Sequence, residues 1–177
     1  VIDGVIDADK EWKGVPTANA FLDNEQGTPS PYPGQFWLAY DDKYIYFAAR
    51  LGDPQVETLK ATEYRTNASL DGEDYILLGV DPFGELSDFN NFSMNVLGGT
   101  NIKIAGGRAA KREWVGDFVA KGRKISGGWE AEARIPWNLM RLPGAGKHDL
   151  RINVCRYVSH NQRKYVWCYT GADQNDM

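Results

Sequence analysis

Apolar and polar residues alternate with a period of two along much of this chain. In Tyr44–Leu51, Ile45, Phe47, Ala49 and Leu51 share one face and Tyr44, Tyr46, Ala48 and Arg50 the other. A period of two with one apolar face predicts a half-buried strand. The turn Asp41-Asp42-Lys43 joins it to Phe36–Tyr40, so the two segments read as a hairpin. Trp129–Ile135 alternates too, with Trp129, Ala131, Ala133 and Ile135 expected inside and Glu130, Glu132 and Arg134 on a solvated face. Pro136 then stops the ladder, because it has no N–H to donate. Asp74–Val80 is almost continuously apolar and predicts a central strand, closed by the turn Asp81-Pro82-Phe83-Gly84. Phe89–Leu97 follows, with Phe92, Met94 and Val96 toward the core and Ser93 and Asn95 opposite. Val115–Ala120, Arg151–Val158 and Tyr165–Tyr169 complete the predicted strands, and Pro54–Thr62 and Pro136–Arg141 are expected as short helical pieces. Many short strands, dense Gly and Pro punctuation and little helical periodicity predict an all-β fold. The expected form is a β-sandwich of mainly antiparallel strands with one or two short helices.

The 177 residues fit one domain spanning residues 1–177. A net charge of −4 disfavours nucleic acid as a partner, since that requires a basic face. No apolar run approaches the roughly 20 residues of a membrane helix, so no membrane insertion is expected. The start Val1-Ile2-Asp3-Gly4 has no initiator methionine and no signal-peptide pattern, as expected of a trimmed mature domain or an excised module. Six Trp, nine Tyr and seven Phe exceed what a core of this size requires, which leaves rings available to stack on a ligand. Catalysis finds little support. The two histidines, His148 and His160, fall in polar loop sequence, and no Gly-x-Ser-x-Gly, HExxH or phosphate-binding glycine loop is present. Glu130 and Glu132 are the paired carboxylates a glycosidase would need, yet they read as an ordinary strand face.

The last predicted hairpin makes a specific claim about the two cysteines. Cys155 and Cys168 stand symmetrically about His160-Asn161-Gln162-Arg163. A turn centred there puts Cys155 opposite Cys168, with Cα atoms about 4.5–5.5 Å apart. That is within the span of about 4.4–6.8 Å that a disulfide bridges. A disulfide would place the domain in an oxidising compartment. The same register sets Arg156 opposite Trp167 as a stacking pair.

Several segments resemble the family 9 carbohydrate-binding modules. Val1-Ile2-Asp3-Gly4-Val5-Ile6-Asp7 leading to Trp12 resembles the family's opening; Tyr40-Asp41-Asp42-Lys43-Tyr44-Ile45-Tyr46 through Asp53-Pro54 resembles its first hairpin. Gly128-Trp129-Glu130 through Ile135-Pro136-Trp137 is similar to its "GW-x-x-E-x-x-IPW" strand, and Glu73-Asp74-Tyr75-Ile76 and Phe92-Ser93-Met94-Asn95 follow the same order. The resemblance implies a non-catalytic β-sandwich that binds oligo- or polysaccharide by aromatic stacking and hydrogen bonds, often with structural calcium. It also implies an extracellular, periplasmic or cell-envelope location, and an attached or partner glycan-processing enzyme. The family's sugar clamp is not retained. Its first tryptophan position falls at Leu70 and Asp71, its acidic residue at Leu77, its arginine at Ser93, and its second tryptophan position at or past Ala172–Met177.

A binding face refurnished at those positions would draw, by strand parity, on Tyr75, Asn95, Asn153 and Tyr157, which together offer rings and directed polar groups. Trp114, isolated among charges, and Trp37, opposite in parity to Phe36 and Leu38, are further candidate platforms; Trp12, Trp129 and Trp137 read as core. Asp3, Asp7, Asp9 and Glu11 crowd the N-terminal segment and offer hard oxygens for calcium. Two rival functions follow from related sandwiches: a haem-binding electron-transfer domain using Met94, or a structural domain of a larger envelope or glycan-processing protein.

Overall fold

The computed structural model describes residues 1–86, 89–105, 108–109 and 117–171. Its strands are, in chain order, β1 (Thr17–Asn19), β2 (Leu22–Asp23), β3 (Gly34–Tyr40), β4 (Tyr44–Gly52), β5 (Tyr75–Asp81), β6 (Asn90–Asn95), β7 (Thr100–Ile104), β8 (Arg108–Ala109), β9 (Val119–Ile125), β10 (Gly128–Pro136), β11 (Arg151–Val158) and β12 (Arg163–Val166). They form two antiparallel sheets, one ordered β1-β3-β4-β10-β9 and the other β2-β12-β11-β5-β6-β7-β8. The expected helical pieces are reduced to single 3-10 turns at Val56–Thr58 and Trp137–Leu139. The all-β sandwich expected from the alternation is the fold observed.

The period-two pattern accounts for the core directly. In the first sheet β4 and β10 pair with Phe47 opposite Ala133, Ala49 opposite Ala131 and Ile45 opposite Ile135. These residues, with Leu51 and Trp129, face Ile76, Leu78, Val80, Phe92, Met94 and Val154 of the second sheet in one buried cluster. Phe47 stands opposite Ala133, and the side chains of both inner faces pack into one buried layer between the sheets. Gly128 opens β10 because a Cβ there would collide with the Leu51 carbonyl oxygen. Met94, the haem candidate, is fully buried in this cluster. That placement removes the haem reading: a sulfur packed between two sheets has no space for a porphyrin.

The outer face of the first sheet is not solvated as expected. The N-terminal segment crosses it and builds a second core, in which Ile6, Trp12, Trp37 and Ala48 pack together. Trp12 and Trp37 lie with ring centroids 6.4 Å apart. Trp37 therefore does face outward from the sandwich, as its parity requires, but it is only 2% exposed and offers no platform. Glu130 and Glu132 are sealed beneath the same segment. Glu132 accepts hydrogen bonds from the Trp12 indole Nε1 (2.9 Å) and from the Gly4 backbone N–H (3.1 Å). Glu130 pairs with Arg50 (2.6 Å) and Arg123 (2.7 Å). Glu132 is thus committed to the segment and Glu130 mainly to the two arginines, so neither carboxylate stands on a solvated strand face.

The last hairpin differs from expectation by two residues. Cys155 lies opposite Val166 and Arg156 opposite Tyr165. The turn is centred one position earlier, with Gln162 in the left-handed region (φ 56°) and Arg163 pairing with Asp23 of β2 at 2.7 Å. Both cysteines are free, Cys155 buried and Cys168 exposed. Arg156 stacks over Tyr32 (5.3 Å) rather than Trp167, and its guanidinium reaches the Gly52 carbonyl and Asp53.

Candidate functional site

The inner face of the second sheet is core, so chemistry on this sheet must come from its outer face. Register lays that face out in three rows across the strands. One row runs Lys164, Tyr157, Tyr75, Asn95; the next runs Cys155, Leu77, Ser93, Asn101; the third runs Asn153, Gly79, Asn91, Lys103. The segment before β5 passes alongside β7. It is tied there by Ala68 N–H to the Thr100 carbonyl (2.9 Å) and by Asn101 Nδ2 to the Ala68 carbonyl (2.9 Å). Leu70 and Asp71 at its end stand over the sheet and turn the face into a groove. Tyr75, Leu77, Asn91, Ser93, Asn101, Lys103 and Lys164 line the rest of it. A depression with two leucines, an aromatic ring and several hydroxyl- and amide-bearing side chains suits a ligand that is itself part apolar and part polar.

Of the residues singled out in the sequence, Tyr75 and Tyr157 are brought together here. Their rings stack at 5.4 Å between centroids with planes 15° apart, both half-buried. Burial pushes the Tyr75 hydroxyl above its ordinary range, with Cys155, Tyr157 and Asp71 nearby adding to the effect. The phenol therefore stays protonated and able to donate. Asn95 and Asn153 occupy the outer parity but serve the fold. Asn95 is fully buried; its Nδ2 donates to the Glu63 carbonyl (2.7 Å) and Glu73 (2.8 Å), and its Oδ1 accepts from the N–H groups of Leu97 and Gly99. Asn153 clamps Cys168, donating to its carbonyl and accepting from its N–H, both at 2.9 Å. Trp37 lies on the opposite sheet, and Trp114 lies outside the described residues.

The groove residues that the sequence reading passed over are Asn91, Asn101, Lys103 and Lys164. A signal for two of them was present: Thr100–Ile104 alternates Asn101 and Lys103 against Ile102 and Ile104. Of the four family positions noted as altered, three, at Leu70–Asp71, Leu77 and Ser93, line this one groove, and the fourth, at or past Ala172–Met177, lies outside the described residues.

The acidic N-terminal residues do not converge. Asp7 accepts from the backbone N–H groups of Asp9 and Lys10 and pairs with the Lys10 ammonium (3.1 Å). Among the described residues only Asp3 and Glu11 come together, with Glu132, their carboxylate oxygens within 4.8 Å of one another. Calcium takes about six to eight oxygens. Three carboxylates, one already accepting from Trp12 and Gly4, are an incomplete fit to calcium.

The sequence matches the family described as carbohydrate family 9 binding domain-like over residues 2–170. The chain belongs to this family. No curated protein sequence matches it. Among solved structures, a candidate carbohydrate-binding protein from Bacteroides uniformis superposes with a TM-score of 0.73 at 14% identity, over 94% of this chain and 83% of that one. A family 9 carbohydrate-binding module from Caldicellulosiruptor kristjanssonii in complex with cellotriose gives 0.63 at 19% identity, over 94% and 77% of the two chains. The same organism's family 9 module in complex with glucose gives 0.61 at 19%, over 94% and 79%. At these identities the likeness establishes a shared fold. The family 9 chain described here keeps that fold.

Proposed function

We propose that this family 9 domain is a non-catalytic carbohydrate-binding module that holds an oligo- or polysaccharide in the groove on the outer face of the second sheet. One observation carries the proposal. Three of the four positions at which the family's sugar clamp is altered, Leu70–Asp71, Leu77 and Ser93, gather in a single groove beside the stacked Tyr75 and Tyr157. Sugars present flat C–H faces and outward hydroxyls. Tyr75 and Leu77 supply apolar surface for the first, and Ser93, Asn91 and Asn101 supply directed partners for the second. The related modules in complex with cellotriose and glucose support the ligand class.

A module of this kind works by effective concentration, keeping a polymer near an attached or partner glycan-processing enzyme. We assign it to the cell exterior, periplasm or envelope, where such polymers are met. That assignment rests on the family alone, since the free Cys155 and Cys168 lend it nothing.

Affinity electrophoresis through gels containing a panel of soluble plant, algal and host polysaccharides tests the proposal. Retardation by at least one polymer is expected. Unchanged mobility across the whole panel would contradict it and favour a purely structural domain.

A further inference from the structure

One polar side chain in the groove is buried and yet unused by the fold. Asn91 on β6 lines the groove and is only 8% exposed, and its Oδ1 has no hydrogen-bond partner. Its surroundings explain why. Register sets it between Gly79 of β5 and Lys103 of β7, and neither donates to that oxygen. Gly79 has no side chain. A Cβ there would lie 3.3 Å from the Asn91 oxygen and 3.5 Å from the Phe89 ring. The oxygen is thus turned toward a glycine and an aromatic ring. A buried acceptor is rarely left without a donor, and leaving it so is destabilising. A glycine inside a central strand weakens the sheet as well, and such positions often mark the close approach of a ligand. Two locally unfavourable choices therefore meet at one point, beside the groove.

Asn95 shows what the fold does with an amide it needs. It stands on the same face of the same strand, fully buried, with Nδ2 donating to the Glu63 carbonyl and Glu73 and Oδ1 accepting from Leu97 and Gly99. Ser93 lies between the two asparagines, lines the groove and is 7% exposed. Among the described residues none hydrogen-bonds its hydroxyl. The polar groups of β6 are therefore spent on the fold at Asn95 and left open at Ser93 and Asn91. The last torsion of an asparagine is broad and roughly two-fold, so the Asn91 amide can turn over. Its oxygen then faces the groove, where a sugar hydroxyl donates to it, and its N–H comes to the Phe89 ring, a weak acceptor.

We propose that Asn91 is the hydroxyl anchor of the groove: the fold leaves it unpaired, at a loss of stability, and a glycan hydroxyl supplies the missing donor. The inference rests on the groove being the sugar site. It also orients the ligand, with a hydroxyl-bearing edge toward β6 and an apolar face on Tyr75 and Leu77 of β5.

The test pairs affinity with stability. The whole chain is run through gels containing hydroxyethylcellulose, glucuronoxylan, glucomannan, laminarin or hyaluronan at graded concentrations, and thermal melts are recorded beside them. Wild type is compared with N91L, N91A and N95L. With each polymer that retards wild type, N91L and N91A are expected to bind about ten-fold or more weakly. N91L is expected to melt at or above wild type, because an apolar side chain of similar size removes an unpaired buried amide. N95L is expected to melt well below it, since its neighbours lose their partner. A loss of affinity smaller than about three-fold in both Asn91 variants overturns the inference while sugar binding stands. A fall in Tm in both that matches N95L overturns it by making Asn91 a support of the fold. Unchanged mobility of wild type in every polymer overturns the sugar site itself and the inference with it.

Discussion

Tyr75 and Tyr157 face one another on neighbouring strands of the second sheet, ring stacked on ring at 5.4 Å with planes 15° from parallel. The pair fixes the orientation of Tyr75, whose ring lines the groove. An aromatic side chain with two torsions already restrained loses little entropy when a ligand settles on it. Tyr75→Phe is expected to keep the stack and most of the affinity. Tyr75→Ala is expected to weaken binding about ten-fold or more. Titration calorimetry on both variants, with thermal melts to confirm folding, checks this. Equal affinity in Tyr75→Ala and wild type would contradict it.

Glu132 ties the N-terminal segment to the first sheet. Burial holds its carboxyl above the usual carboxylate range, despite the opposing bonds from Trp12 and from the backbone of Gly4 and Asp3. Glu132→Ala removes the partner of the Trp12 indole and of the Gly4 N–H at once. Leaving buried donors unpaired costs about 1–3 kcal/mol each, so a loss of about 2–6 kcal/mol is expected for the two. For a chain of this size that is a fall in Tm of several degrees, on the order of 2–4 °C per kcal/mol. Glycan affinity should be unchanged, because the groove lies on the other sheet. A melt superimposable on wild type would contradict the assignment.

Glu73 braces the groove wall from below. Burial opposes its ionisation, but hydrogen bonds from Thr62 and Asn95, with the backbone N–H groups of Thr62 and Glu63, outweigh burial and hold its pKa below the ordinary value. A depressed pKa in the folded state means that Glu73 stabilises the fold above the unfolded-chain value, about 4.3. That contribution is lost as pH falls through the lower, folded value. Melting temperature measured from about pH 6 to about pH 3 should fall less steeply in Glu73→Gln than in wild type. Parallel profiles would contradict the role.

The two thiols give a direct chemical readout of the last hairpin. Burial pushes the Cys155 thiol up to about 12, whereas Cys168 is exposed. An aromatic disulfide reagent should titrate Cys168 in the native protein and both cysteines after denaturation, and a reductant should leave Tm unchanged. A denatured protein with no titratable thiol would restore the disulfide and the register that goes with it.

The sandwich was legible because alternation is a local property. Ile45-Phe47-Ala49-Leu51 and Trp129-Ala131-Ala133-Ile135 announce their inward faces wherever the strands end up. What lies over the outward faces is not local. Trp37, Glu130 and Glu132 have the expected parity, yet an N-terminal segment whose Gly4 and Trp12 lie 128 and 120 residues from Glu132 covers them. The error in the last hairpin has a different cause. A slip of one residue would turn every side chain over, but a slip of two preserves the alternation, so the hydrophobic pattern cannot detect it. Turn geometry decides it instead, through Gln162 at positive φ and Arg163 held by Asp23. The groove was half legible. Tyr75 and Tyr157 follow from parity on strands that were recognised, whereas Asn101 and Lys103 sit on a strand that was not. Asn95 and Asn153 show why polar residues on an outer face mislead: short amides satisfy neighbouring backbone as readily as a ligand.

The central claim is where the sugar sits. Backbone amide shifts followed by NMR while a polysaccharide fragment that retards the protein is titrated in test this most directly. The account predicts that the largest changes fall on Leu70–Leu77, Asn91–Ser93, Asn101–Lys103 and Lys164, with the first sheet quiet. Changes concentrated on Trp12, Tyr46 and Arg134, across the opposite face, would contradict it.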